Sequence, residues 1–497
     1  MSIDFTSSTW QRWFQLPRIT LFHVASQDHQ RALLCHDASG TPQLYAYELG
    51  GVPRQLTDEP LGVLLGTISA DGRTVYYQRL ADDDTGGGHL WRVGFDGSNP
   101  QPLTPEWPSY PLLAVSECAS GAFYGFTVFD GYSQTFVVDA RRGGTPHLRY
   151  ESAAPSVGPY LSYDGELAVM AEFADAGDAL ESYDVRTGER VARLNGLTAL
   201  EPAGFPPRAA DMRFLATALS DGLRRPFWWN ARTGERRDLT LPHAGSITPL
   251  DWSSDAEQVV YMAYGTMGAQ TAVVNLKTGA SAAFDWLEGR CVDAAHWHAG
   301  SLWTLVQRYH EPPAIWRGAQ AALTVGQAPP LPPVTITQRG SLTHYAQPSS
   351  PLHVVIAHGD EYSLPQRYQP LVGAWLSVGA TVSVWHSWTH EGMLAGEVNG
   401  RATAEQDASA LLAALADFDL PPQRLLIGTR HAAPTAQRLP ALGRILIDPD
   451  NPFERMRDGT PTLTLTVYNV PPAPDRDEQI MARALAWWAT LSATGAP

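Results

Sequence analysis

The sequence predicts a seven-bladed β-propeller, which is an all-β fold, followed by a shortened, doubly wound α/β domain. One observation is a glycine-ended motif that repeats about every 45 residues over the first two-thirds of the chain. The other is a change after residue 325 to apolar strands that alternate with helical segments. The 497 residues are enough for two domains with sizeable cores.

The repeated motif is a strand, a turn and a glycine. Six copies end at glycines that are 45 or 46 residues apart, and PAIWRG gives a weaker seventh copy. The glycines are Gly51, Gly97, Gly143, Gly188, Gly234, Gly279 and Gly318. A second motif, an Asp- or Gly-bearing turn followed by alternating strand residues, precedes the first, as in SADGRTVYY and SYDGELAVM. One four-stranded unit cannot bury both faces alone, so the units should stack around an axis as blades.

The alternatives to a propeller are an open β-sandwich array and a β-solenoid. Solenoid coils are usually shorter than this unit, which favours the propeller. We therefore assign residues 18–325 to seven blades. Residues 1–17 are predicted to be an N-terminal extension that packs on the propeller or on the C-terminal domain.

A proline-rich stretch, 326–340, is predicted to be a stiff, extended linker, because prolines at this density disfavour helix. After it, residues 341–497 predict a mostly parallel sheet with helices on both faces. The predicted strands are 352–359, 380–385, 425–427, 444–447 and 462–468. The predicted helices are 370–378, 405–415 and 476–491.

The third of these strands runs into a turn of small residues. The turn reads Gly428, Thr429, Arg430, His431 and Ala432. It resembles the nucleophile elbow of serine hydrolases, in which the nucleophile lies between small residues. Arg430 occupies the nucleophile position, or His431 in the longer form of the motif, and an arginine stays protonated and cannot attack a carbonyl. If the elbow is retained, we expect Arg430 to face the inter-domain cleft and to pair with a carboxylate.

A seven-bladed propeller followed by an α/β-hydrolase domain resembles the prolyl oligopeptidase family of serine peptidases, which includes acylaminoacyl peptidases. The resemblance covers nearly the whole chain. It is carried by LPRIT, QLYAYELGG, RQLT and SADGRTVYY in the first domain, and by PLHVVIAHG, the helix with Glu405 and Asp407, and PPQRLLIG in the second. It implies that His358 and Gly359 are the remnant of an oxyanion strand. It also implies that homo-oligomers form through the C-terminal domain.

The triad of the family follows the order Ser, Asp, His along the chain. No histidine follows His431 here, so the late histidine is missing from this chain. Asp475 or Asp477 stands near the expected aspartate, although an Asp in the first turn of the last helix also fits capping, which we favour. The sequence therefore predicts no intact catalytic residues and a pseudoenzyme that serves in binding, scaffolding or regulation.

The alternative function is a residual serine peptidase or esterase that acts on short or acylated peptides with a displaced nucleophile. Such an enzyme would pair a serine with a histidine that precedes the elbow, in a chain order unlike that of the family. The candidate serines are Ser363, Ser383 and Ser387, and the candidate histidines are His358, His386 and His390.

Three other groups of residues contain metal-ligand types. They are His386, His390 and Glu391; His296 and His298; and Asp82 to Asp84. The first has an i, i+4 histidine pair but follows a strand, where a loop is expected. The second alternates on a strand of the seventh blade with no obvious third ligand, and the third lacks the spacing of a calcium loop. We expect no metal and no cofactor.

The net charge of −16 makes nucleic acid a poor partner, because an acidic surface repels phosphate. The three cysteines, Cys35, Cys118 and Cys291, form neither a disulfide framework nor a CxxC site. No signal peptide and no membrane span are visible. We expect a cytoplasmic protein with no membrane partner, and a peptide or protein partner in the inter-domain cleft.

Overall fold

The computed structural model describes residues 8–81, 87–141, 144–241, 243, 245–265, 268–298, 301–358, 367–386, 404–421, 423–429, 443–447, 462–465 and 481–482. Seven four-stranded antiparallel sheets occupy the first two-thirds of this described chain. The order of strands within each sheet follows the sequence, so each blade is built from one continuous segment. The predicted seven-bladed propeller is confirmed.

Blades one to four contain strands β1 to β16. In order, these are Ile19–Val24, Arg31–His36, Gln43–Glu48, Arg54–Gln55; Gly66–Ile68, Thr74–Leu80, Gly88–Gly94, Gln101–Pro102; Leu112–Glu117, Phe123–Phe129, Ser133–Asp139, His147–Ser152; Ser156–Leu161, Leu167–Glu172, Asp178–Asp184 and Arg190–Leu197.

Blades five to seven contain strands β17 to β28. In order, these are Glu201–Gly204, Arg213–Ser220, Leu223–Asn230, Arg236–Asp238; Ser246–Trp252, Gln258–Gly265, Gly268–Asn275, Ser281–Ala283; Cys291–His298, Ser301–Arg308, Glu311–Arg317 and Gln320–Thr324. A short 3₁₀ helix, Asp285–Leu287, precedes the last blade.

The repeated glycines lie in the turns between the third and fourth strands of the blades. Gly188 and Gly234, for example, have φ angles of 77° and 78°, in the left-handed region that favours glycine. Gly143 lies outside the described residues. The serines of the second motif lie in the turns between the first and second strands, and the hydroxyl of Ser162 accepts a hydrogen bond from the backbone N–H of Leu167 at 3.0 Å. Both sequence motifs are therefore turn signals.

The ring closes by side-chain packing between the first and last blades. Buried residues of blade one, such as Phe22 and Tyr47, share a core with Trp303 and Ile315 of blade seven. His296 also contributes, because its Nε2 lies 3.1 Å from the carbonyl oxygen of Phe22. His296, the first histidine of the predicted HxH strand, thus lies where the ring closes and contacts the backbone of blade one.

The C-terminal domain has a sheet of seven strands in the described residues. These are β29 to β35: Thr335–Arg339, Leu342–Ala346, Leu352–His358, Thr381–His386, Gln423–Thr429, Gly443–Ile447 and Thr462–Leu465. Their order in the sheet is β29-β30-β32-β31-β33-β34-β35, and the five strands from β32 to β35 run parallel to one another. The strand at 462–465 is therefore the last of the described sheet, next to β34.

One described helix covers each face of this sheet. Helix α1, Pro370–Ser377, packs with Val354 and Val384 on one face, and helix α2, Ala404–Leu415, packs with Val355 and Leu426 on the other. This is the predicted doubly wound arrangement. Of the predicted final helix, only Met481 and Ala482 are described, and both are helical. None of the described helices is long and apolar enough to cross a membrane.

One boundary differs in detail from the sequence prediction. Thr335–Arg339 lies within the predicted linker 326–340, yet it pairs antiparallel with β30 as the edge strand of the sheet. Its Thr-Ile-Thr run favours a strand once the prolines end. At the N-terminus, the described part of the extension forms a 3₁₀ helix, Ser8–Trp13, and buries Trp13 and Phe14 in the core of the C-terminal domain.

Candidate functional site

The carboxyl ends of strands β31, β32 and β33 lie side by side in the middle of the parallel sheet. Ligands of doubly wound sheets bind at this edge, because the strand order reverses there and leaves a crevice. The last described residues of the three strands are His358, His386 and Thr429. The edge therefore holds the predicted oxyanion strand beside the predicted elbow strand.

The structure describes only the first half of the predicted elbow. Gly428 is buried and pairs with Ala357 of β31, and Thr429 is the last residue of β33. Arg430, His431 and Ala432 lie outside the described residues, as does Gly359. The predicted strand 425–427 is thus present within Gln423–Thr429, whereas the elbow itself and the position of the Arg430 side chain remain predictions.

His358 is 4% exposed, and its partner comes from the propeller. Its Nε2 lies 3.0 Å from the Tyr309 hydroxyl, and the two rings meet edge to face. Burial lowers the pKa of His358 to about 4, so the imidazole is neutral at neutral pH. The ring of His386 packs against it with centroids 5.1 Å apart. His358 is therefore a packed, uncharged group.

Tyr309 lies in the hairpin between β26 and β27 of the seventh blade, and its ring is buried in the core of the C-terminal domain. Its carbonyl oxygen accepts a hydrogen bond from the backbone N–H of Gln369 at 2.9 Å. In the same region, Arg367 pairs with Asp293 of the seventh blade at 3.0 Å. The seventh blade thus holds the domain that carries the site. Sequence reasoning missed Tyr309, because nothing in its motif distinguishes this hairpin from the others.

Ser383, one of the candidate displaced nucleophiles, is completely buried. Its hydroxyl lies 2.8 Å from His344 Nδ1 and 2.8 Å from His353 Nε2. It does not pair with His358 or His386, because side chains alternate along a strand and those two histidines project from the opposite face of the sheet. The pairing predicted for Ser383 is therefore wrong, and no substrate reaches this hydroxyl. Ser363, Ser387 and His390 lie outside the described residues.

The histidines beside Ser383 are uncharged for the same reason as His358. Burial lowers the pKa of His344 to about 4, and burial together with the charges of Arg424 and His344 lowers that of His353 to about 3. Arg424, on the neighbouring strand, directly faces His353 in the register of the sheet. Ser383, His344 and His353 therefore form a buried polar layer of the sheet.

The candidate metal ligands are only partly described. His386 is buried, whereas His390, Glu391 and Asp82 to Asp84 lie outside the described residues, as does the side chain of His298. Among the side chains that the structure describes, no group of three or more His, Cys, Asp or Glu could hold a metal ion. Asp475 and Asp477 are also outside the described residues, so their capping role remains a prediction.

Comparison with known proteins shows similarity in structure alone. No protein-family model and no curated protein matches the chain. An acylaminoacyl peptidase in complex with Z-Gly-Gly-Phe-chloromethyl ketone is 9% identical, with a TM-score of 0.66 over 88% of this chain and 78% of that chain. A prolyl endopeptidase is 12% identical, with a TM-score of 0.61 over 89% and 72%. A Mycobacterium tuberculosis puromycin-hydrolyzing peptidase is 12% identical, with a TM-score of 0.65 over 90% and 80%. At these identities, the likeness establishes the two-domain fold.

Proposed function

We propose that this chain, which has the fold of the prolyl oligopeptidase family, is a non-catalytic member that binds a peptide or protein partner. The observation that carries the proposal is the loss of two triad positions in one chain. Arg430 stands where the nucleophile belongs, and no histidine follows His431. A serine hydrolase of this fold needs both groups, because the histidine removes the proton of the attacking hydroxyl.

The size of the expected loss supports this proposal. Removing the serine or the histidine of a triad lowers kcat by roughly 10⁶-fold, and removing both adds little, because the two act as a unit. The activity that remains in such variants, about 10³–10⁴-fold over water, comes from the oxyanion hole and from substrate binding. Here His358 is packed against Tyr309 and His386. Its ring is thus engaged within the fold and is not presented as a free base.

Peptides are the ligand class that the similar structures suggest. The acylaminoacyl peptidase was solved with a peptide-like chloromethyl ketone. In the present chain, the carboxyl edge of the sheet lies on the side that the seventh blade contacts through Tyr309. We therefore place the partner in the cleft between the propeller and this edge, where Arg430 would offer a carboxylate-binding guanidinium.

The test is a panel of acyl-amino acid, proline-containing and ester substrates, with an active puromycin-hydrolyzing peptidase as the reference. We expect no turnover above the buffer rate for the purified chain, whereas the reference cleaves its substrate. Turnover that survives repurification and disappears in a Ser363→Ala or Ser387→Ala variant would establish the alternative, a residual hydrolase with a displaced nucleophile.

A further inference from the structure

The proline-rich segment between the two domains is held at both ends. Residues 327–334 form neither helix nor strand. Directly before them, Gly326 lies so close to the N-terminal extension that an added Cβ would come within 2.7 Å of Cδ of Pro17. Directly after them, strand β29 pairs with β30 at the edge of the C-terminal sheet. The position of the segment is therefore fixed by its neighbours on both sides.

The burial of this segment repeats every third residue. One set of positions packs against the core of the C-terminal domain: Ala328, Leu331 and Val334. The set that lies one residue earlier is exposed throughout: Gln327, Pro330 and Pro333. A polyproline II helix has about three residues per turn, and proline fixes the φ angle that this helix needs. The pattern therefore indicates a polyproline II helix that rests on the core with one edge and presents another edge to solvent.

Three of the four prolines in this helix are exposed, and we call them the proline ridge: Pro330, Pro332 and Pro333. The fourth, Pro329, is buried. Pro330 and Pro333 are one turn apart, which is about 9 Å along the axis of the helix. This is the PxxP spacing that proline-recognition modules bind in grooves lined by aromatic side chains. Because the helix is already formed and anchored, its binding costs little conformational entropy.

The segment that carries the proline ridge is uncharged, although the chain as a whole has a net charge of −16. No Asp, Glu, Lys, Arg or His occurs between Arg317 and Arg339. Both of these arginines have partners, since Arg317 lies over the ring of Trp303 and Arg339 pairs with Asp417. A charged groove would lose water against the ridge and gain no ion pair from the segment. The complementary surface is therefore aromatic and uncharged.

We propose that the proline ridge is a docking site for a protein module that has an uncharged groove lined by aromatic side chains. The rings of Pro330 and Pro333 enter the groove. The carbonyl oxygens of the helix, which makes no internal hydrogen bonds, accept hydrogen bonds from Trp N–H or Tyr O–H groups of the module. This inference goes beyond the proposed function, because the ridge lies outside the catalytic positions and binds whether or not the chain has turnover.

The test is isothermal titration calorimetry of the full chain with an isolated WW domain, which is a proline-recognition module with an aromatic-lined groove. The probe is a WW domain that binds proline–leucine–proline peptides. The control is the same domain with the tryptophan of its groove replaced by alanine. We expect saturable binding of the first domain and none of the second. No binding by the wild-type chain, or equal binding of the two domains, would overturn the proposal.

Two variants of the chain show whether the exposed edge is what the module binds. Pro330→Ala combined with Pro333→Ala removes the two rings that enter the groove, so the Kd for the WW domain should rise about ten-fold. Pro329→Ala is the matched control, because it removes a proline from the same segment whose ring is buried. Its Kd should equal that of the wild type. Urea unfolding should remain cooperative in both variants. An unchanged Kd in the double variant, or an equal rise in the control, contradicts the proposed docking edge.

Discussion

Gly373 has no side chain because the ring of Trp13 occupies the space. A Cβ added to Gly373 would lie 2.3 Å from ring atoms of Trp13, well inside any permitted contact. Trp13 itself is 1% exposed, and its carbonyl oxygen accepts a hydrogen bond from the Tyr368 hydroxyl at 3.0 Å. Because Gly373 has no Cβ, the N-terminal segment can pack into the core of the C-terminal domain.

Gly373→Ala is therefore expected to destabilise the protein. In a helix, alanine is more favourable than glycine by about 1 kcal/mol. The overpacking against Trp13 should cost more than this, so the free energy of unfolding should fall by about 1–2 kcal/mol. The free energy of unfolding from urea titration measures it. In a Trp13→Ala background the clash is absent, and the same Gly373→Ala change should be neutral or stabilising. Equal losses in both backgrounds would contradict this packing.

The burial of His353 is expected to make the free energy of unfolding depend on pH. Its pKa falls from 6.5 in the unfolded chain to about 3 in the folded one, mainly because of burial. The unfolded state therefore binds more protons between these values, and stability is full above the unfolded pKa and is lost as the pH falls below it. Lowering the pH from about 7 to about 5 should remove about 2 kcal/mol through this residue.

The measurement compares urea unfolding of His353→Gln with the wild type at both pH values. The glutamine does not titrate, so the acid loss should shrink by about 2 kcal/mol. The exposed His147→Gln is the matched control and should leave the acid loss as in the wild type. An identical loss in all three proteins would show that His353 is not buried in its neutral form.

Two partly buried acids of the propeller act in the opposite sense. Burial raises the pKa of Asp251 and of Glu117 to about 7. Their folded forms bind more protons than the unfolded chain, so their contribution is present at low pH and is lost as the pH rises through 7. The free energy of unfolding of the wild type therefore changes with pH through opposing contributions from histidines and acids. The comparison of His353→Gln with the wild type isolates the contribution of His353.

Among the elements, the turns between the first and second strands show how the repeat works. In blades two, four and six the first turn residue is a serine whose hydroxyl accepts a hydrogen bond from a backbone N–H, as Ser162 does from Leu167. In blade three, Cys118 takes this place and its Sγ accepts from the backbone N–H of Phe123 at 3.2 Å. Since sulfur is a weak acceptor, this turn should be the weakest of the four.

Ser162→Ala is expected to cost about 1–3 kcal/mol, because the buried N–H of Leu167 loses its acceptor. Cys118→Ser should be neutral or stabilising, because it restores the residue that the repeat prefers. Both effects are measured as changes in the free energy of unfolding. The interpretation of the turns fails if Cys118→Ser destabilises the protein as much as Ser162→Ala does.

These elements also show which parts of the fold can be predicted from the sequence. The blades were predictable, because glycines in left-handed turns recur at a fixed spacing. The parallel strands were predictable from continuous apolar runs. Strand β29 was not, because five residues of edge strand after a run of prolines have no core-facing pattern of their own. The contact of Tyr309 with the C-terminal domain was not predictable, because a residue that packs between domains follows neither the 45-residue repeat nor the alternation of a strand. The hydrogen bonds of Ser383 were not predictable either, because they depend on the register of the sheet.

For the whole molecule, the described contacts between domains centre on the seventh blade. Tyr309→Ala should cost about 3–5 kcal/mol, because it removes a buried aromatic ring from the C-terminal core. Tyr309→Phe keeps the ring and removes the hydroxyl with its hydrogen bond to His358, so its cost should be about 1 kcal/mol. Calorimetric unfolding of both variants checks this. Equal stability of the two would mean that the hairpin does not anchor the domain.

The proposed absence of catalysis is the central claim for the molecule, and labelling with a fluorophosphonate tests it most directly. The probe forms a covalent adduct with any activated serine, which intact-mass spectrometry detects. An active puromycin-hydrolyzing peptidase serves as the positive control. We predict no adduct on the wild-type chain and none on Arg430→Ser, because a serine at the elbow still lacks its histidine. A stoichiometric adduct on the wild-type protein would contradict the account.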